Sequence, residues 1–111
     1  METKIYYYRT SFAREAIMLS FSQNIPADFP AKINDVNYAC VYTMPHVKKE
    51  SEEEIYQYLE SLFAEFNSDE NPLYQNNHGG HRDVHSSMSA GDIVSYNNNK
   101  YIVMGFGFKK I

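Results

Sequence analysis

Hydrophobic spacing is most regular between positions 51 and 67. Ile55, Leu59, Leu62, Phe63 and Phe66 recur at the interval that places side chains on one face of an α-helix. Ser51 followed three residues later by Glu54 is a capping box, and Glu52 and Glu53 put negative charge where the helix dipole favours it. The pattern predicts a helix from Ser51 to Asn67, about 25 Å long at ~1.5 Å per residue. A shorter helix is predicted after Thr10 or Ser11, either of which would cap it, with Phe12, Ala16 and Leu19 on one face and Ile17 alongside.

The remaining apolar runs have the composition of strands. Lys4–Arg9 carries three consecutive tyrosines, which suits a strand covered on both faces. Asn37–Met44 alternates, with Tyr38, Cys40 and Tyr42 on one side and Ala39 and Val41 on the other; Pro45 ends it. Asp92–Tyr96 and Lys100–Phe108 read as a hairpin across Asn97-Asn98-Asn99, since asparagine tolerates the left-handed backbone of a tight reversal. In the second of these strands Ile102, Met104, Phe106 and Phe108 form the expected core face. Gly105 and Gly107 bare the other face, which implies a bulge or the close approach of other backbone. Gln23–Pro30 and the polar stretch Asn71–Ser89 are connections. The reading is an α+β fold over residues 1–111, one domain, in which a mostly antiparallel sheet of about four strands packs against one long and one shorter helix.

Composition narrows the function classes. Hydrophobic residues make up 43% of the chain and charged residues 22%, which argues for a globular protein. A net charge of −4 has the wrong sign for a general nucleic-acid binder. No apolar run approaches the ~20 residues of a membrane-spanning helix. Met1-Glu2-Thr3-Lys4 lacks the apolar stretch of a signal peptide, and the lone Cys40 has no internal disulfide partner; a cytoplasmic location is expected. Cys40, in a strand, is expected to be buried and inert. Ten tyrosines and seven phenylalanines without a tryptophan point to an aromatic surface.

The order of these pieces resembles the YodL-like small domains of phage-, plasmid-, gene-cassette- and other mobile-element-borne proteins. An N-terminal Ile-Tyr strand comes first, followed by Asn37-Tyr38-x-x-Val41-Tyr42 and an acidic helix ending Leu62-Phe63-x-x-Phe66-Asn67. A His85-Ser86 segment then leads into Asp92-Ile93-Val94, and the chain closes with Tyr101-x-Val103-x-Gly105-Phe106-Gly107-Phe108-Lys109. The likeness runs from about Ile5 to Ile111. This chain has an extra residue or a shifted register after His85, and it lacks the aspartate usual before Phe-Gly-Phe. The resemblance implies a bacterial, mobile-element setting and a family without an established activity.

Candidate chemistry lies mainly in the histidine segment. His78, His81 and His85 are spaced as three imidazole ligands for zinc, although a loop position and the lack of a Cys or Glu partner favour a solvated connection. His81, Arg82, Asp83, His85 and Ser86 contain the ingredients of a metal-free acid/base site on a phosphodiester, with histidine as base and arginine on the phosphate. The plainer reading of His85 is an imidazole hydrogen-bonded to buried backbone, holding the loop on the sheet. Ser89-Ala90-Gly91-Asp92 is either an anion-binding nest or a turn in which Asp92 accepts amide hydrogen bonds. Tyr7, Tyr42 and Tyr101 are the candidate binding residues of a tyrosine-rich sheet face that the helices, a second subunit or a ligand would cover, an interface being the favoured reading. The leading expectation is a small non-enzymatic accessory protein that contacts a protein partner, or itself as a homodimer, and uses no cofactor. The alternative is a small ribonuclease-like hydrolase working through the His81–Ser86 loop.

Overall fold

The computed structural model describes residues 2–74 and 80–111. Five antiparallel strands form one sheet: β1 (Glu2–Tyr8), β2 (Tyr38–Pro45), β3 (Ile93–Tyr96), β4 (Asn99–Val103) and β5 (Phe108–Lys110). Their order across the sheet is β2-β1-β3-β4-β5. Helix α1 (Ala13–Leu19) covers one face and α2 (Glu52–Glu65) the other. The α+β architecture expected from the sequence is present, with one strand more than about four and both helices shorter than their apolar stripes suggested.

Each face has its own core. On the α2 side Leu59, Leu62 and Phe66 pack with Ile5, Tyr7, Val94, Tyr96, Tyr101 and Val103. On the α1 side Phe12, Ala16 and Phe29 pack with Tyr38, Ile93 and Ile102. The strict alternation of Ile93/Val94 and Tyr101/Ile102 between the two cores is the period-two rule of a sheet covered on both sides.

The local signals of the sequence are realised at α2. Ser51 Oγ accepts a hydrogen bond from the Glu54 amide at 3.2 Å, and the Glu54 carboxylate accepts one from the Glu50 amide at 3.0 Å. The β3–β4 reversal uses two asparagines rather than three. Asn97 and Asn98 both have positive φ (52° and 65°), and Tyr96 pairs with Asn99. That is the backbone a two-residue hairpin needs to match the twist of its strands. Thr10 and Ser11 do not cap α1; they belong to a 3-10 turn, and Thr10 instead bonds the Asp83 carbonyl.

Four expectations are corrected. Alternation in β2 breaks at a bulge: Ile5 pairs with Tyr42 and Tyr6 with Cys40, leaving Val41 as the extra residue. Tyr42 and Met44 therefore turn to the α2 face with Ala39 and Val41. Cys40 is exposed, because the α1-side core reaches Tyr38 and stops short of it. Lys100–Phe108 is not one strand. The chain reverses at Gly105-Phe106-Gly107, with Gly107 at φ +78°, so Phe106 projects from a turn at 98% exposure instead of lining the core. The described parts of the Asn71–Ser89 connection are anchored rather than solvated: Leu73, Val84 and Met88 are buried in the α2-side core.

Candidate functional site

The histidine segment is tied to the C-terminal end of α2 and to the turn that follows β1. Asn71, itself buried, donates from Nδ2 to the carbonyls of Phe66 and Ser86 at 2.7 Å each. Asn67 Nδ2 reaches the Met88 carbonyl at 3.0 Å. Arg9 grips both carboxylate oxygens of Asp83 at 2.9 and 3.1 Å, and the Thr10 amide donates to the Asp83 carbonyl. The guanidinium holds the Asp83 carboxyl below its usual range.

Beneath the segment lies Asp92, fully buried immediately before β3. Its Oδ1 accepts the Tyr8 amide at 3.0 Å, and its Oδ2 accepts the Ser89 amide and His85 Nε2, both at 2.7 Å. Burial pushes its carboxyl up to about 6, against the opposing pull of His85 and the two amides. An ionised Asp92 fixes the His85 proton on Nε2. The His85 ring stacks on Tyr7 with centroids 4.4 Å apart and planes at 6°, and it meets Tyr8 at 4.3 Å and 39°. Burial also raises the Tyr7 hydroxyl pKa.

Gly91 makes this arrangement possible. Its φ is +100°, and a Cβ there would stand 2.9 Å from the Ala16 carbonyl oxygen. The Gly91 carbonyl accepts the Tyr38 hydroxyl at 2.8 Å and its amide donates to Val103. The amides of Ser89, Gly91 and Asp92 are all engaged within the protein, by the Asp92 carboxylate, the Val103 carbonyl and the Ser89 carbonyl in turn, so Ser89–Asp92 forms a turn with none of these amides left for an anion.

A histidine with one nitrogen on a buried carboxylate is oriented as a general base would be. The other candidate groups do not join it. Among the described residues no hydroxyl bonds to His85; Arg82 is exposed without an ion pair, and Ser86 contributes its carbonyl to Asn71. His78 lies outside the described residues. Among those described, no three His, Cys, Asp or Glu side chains are grouped as metal ligands.

The tyrosine face is also corrected. Tyr7 and Tyr101 are 0% and 1% exposed, and Tyr42 packs edge-on against Phe66. Together with Tyr96 they form the floor under α2, so this face is not an exposed aromatic surface.

Exposed apolar area lies elsewhere. Phe21, just past α1, is 71% exposed, and Phe106 stands beside it. The two segments are tied by the Gly105 amide to the Ser20 carbonyl at 2.9 Å and by Lys109 Nζ to the Gln23 carbonyl at 2.7 Å. A hollow of about 380 Å3 on one side of Phe106 is lined by Glu60, Phe63, Val103, Met104 and Phe108. One of about 530 Å3 on the other side is lined by Phe21, Gln23, Met104 and Lys109. Sequence reasoning missed this surface by continuing a strand through Phe106; the glycines on either side of it were the signal of a turn. It also missed the His85–Asp92 pair, which requires knowing that the Gly91 turn folds the two residues together.

No family model matches the chain and no solved structure matches it. Part of it is similar to an uncharacterized protein of Acanthamoeba polyphaga mimivirus, 43% identical over 56 residues. That match spans 48% of this chain and about half, 52%, of the viral protein. No helix among the described residues is long and apolar enough to cross a membrane.

Proposed function

We propose that this is a non-enzymatic accessory protein that acts through protein contacts made by the Phe21–Phe106 surface. One observation carries the reading: Phe106 is 98% exposed on a turn braced by backbone hydrogen bonds, with apolar hollows on both sides. Apolar residues concentrated at one exposed place are the usual mark of an interaction site. The His85–Asp92 pair supports the same conclusion, since its partners hold a loop in place. The YodL-like resemblance and a relative in a virus suit a protein of mobile elements, working in the cytoplasm of the host cell.

The hydrolase alternative draws on one feature, the orientation of His85 by Asp92. A photo-crosslinker in place of Phe106 separates the readings in cells. A discrete protein adduct, competed away by unmodified chain, is the expected result. Absence of any such adduct, together with RNA cleavage that disappears in His85→Ala, would replace the interaction reading with the hydrolase.

A further inference from the structure

We propose that the uncovered end of the α1-side sheet face binds a guanine nucleotide, its phosphate between Lys4 and Lys100 and its base in the hollow beside Tyr6. This surface is separate from the Phe106 turn, and the inference does not rest on the interaction reading. Strand register builds the phosphate half. Lys4 lies opposite Ser95, and Ser95 lies opposite Lys100. Their neighbours Ile5, Val94, Tyr96 and Tyr101 all enter the α2-side core, so alternation turns these three side chains to the other face. The α1-side core includes none of the three; near them it ends at Tyr6, Ile33 and Ile111. Two ammonium groups on flexible stems thus flank one hydroxyl, with backbones about 10 Å apart at two strand spacings.

The two like charges stand without a counter-charge. Among the described residues neither Lys4 nor Lys100 forms an ion pair, although the chain carries a net charge of −4. Glu2, on the same face of β1, does not pair with Lys4 either. A phosphate above Ser95 accepts hydrogen bonds from both ammonium groups and from the hydroxyl. Lys100 also borders a hollow of about 230 Å3, walled by Tyr6, Ile33, Asn34, Asp35 and Tyr38. A cavity of roughly 150 Å3 already holds a benzene ring, so a planar base fits. The tyrosines supply ring faces for it. Asp35 selects the base. Its carboxylate pairs with no cation among the described residues, and a carboxylate accepts hydrogen bonds without donating them. Guanine offers two adjacent N–H donors, one for each carboxylate oxygen. Adenine sets a ring acceptor beside its amino group.

Titration of the isotope-labelled chain with guanosine monophosphate, followed by amide chemical shifts, tests both halves. Saturable shifts at Ser95, Lys100 and Asp35 are expected, with a dissociation constant below ~1 mM. Lys100→Gln should weaken binding roughly tenfold or more, through loss of a charge-assisted hydrogen bond. Asp35→Asn should bring guanosine monophosphate down to the affinity of adenosine monophosphate and leave inorganic phosphate unaffected. Lys48→Gln, at an exposed lysine between β2 and α2, should bind like the parent. All three positions lie outside both cores, so each variant should keep the parent circular dichroism. No saturable shift up to ~10 mM nucleotide, or affinity unchanged in Lys100→Gln, overturns the inference. Guanosine monophosphate binding no tighter than adenosine monophosphate or inorganic phosphate overturns the guanine assignment.

Discussion

Replacing Asp92 by Asn tests whether its carboxylate is a source of stability or a cost that the fold carries. The folded carboxyl titrates at about 6, against an ordinary value of 3.8, because burial penalises the charged form more than His85 and two amides favour it. The difference is about 2 pH units, or about 3 kcal/mol at ~1.36 kcal/mol per unit. Below the ordinary value both folded and unfolded chains hold the proton, and the penalty is absent. Between 3.8 and 6 the unfolded chain has released its proton while the folded chain keeps it, so stability falls by about 1.4 kcal/mol per pH unit and then levels off. Asparagine does not titrate. The stability of the parent relative to Asp92→Asn should therefore be greatest below about pH 3 and decline by about 3 kcal/mol on reaching pH 7. Urea denaturation followed by circular dichroism at intervals across that range measures the gap directly. Parallel curves would refute the argument. A gap that widens with rising pH would reverse it, making the ionised His85–Asp92 pair a net stabiliser.

Other substitutions probe individual contacts, with urea denaturation as the common assay. Gly91→Ala should cost roughly 2 kcal/mol or more, since it forces positive φ on a residue whose Cβ meets the rigid Ala16 backbone. Gly105→Ala should cost under about 1 kcal/mol although its Cβ would meet the Phe21 ring, because that exposed ring can swing away. Ser51→Ala should lose about 1 kcal/mol with the α2 cap. Leu59→Ala, at a fully buried position between α2 and the sheet, should cost about 2–5 kcal/mol.

What the sequence made legible was local. The α2 stripe and its Ser51 cap, and the Asn97-Asn98 reversal, depend on neighbours within a few residues and could be read without tertiary knowledge. The three tyrosines of β1 correctly implied a strand covered on both faces. What failed depended on distant chain. The bulge at Val41 is defined only by register against β1, and that register carries Tyr42 to the α2 face and leaves Cys40 outside the smaller core. The reversal at Phe106 competes with a strand pattern of the same period. Tyr7 and Tyr101 looked like surface because hydroxyl-bearing rings suit interfaces; in fact α2 covers both. Sequence spacing suggests a backbone partner for the His85 imidazole; the structure gives it the Asp92 carboxylate instead.

The position of β1 in the sheet constrains how the molecule comes to be made. β1 pairs with β2 on one side and with β3 on the other, and Lys4 lies opposite Ser95. During synthesis the tyrosine-rich segments of β1 and β2 emerge before the segment that closes the second edge of β1. Neither core can be completed until β3 and β4 are available, because both cores draw on them. Such long-range closure is slow, and an open aromatic edge invites pairing with other chains while it lasts. Loss of the last twenty residues would therefore yield an aggregation-prone ribbon with α2 loosely attached, not a smaller version of the same fold.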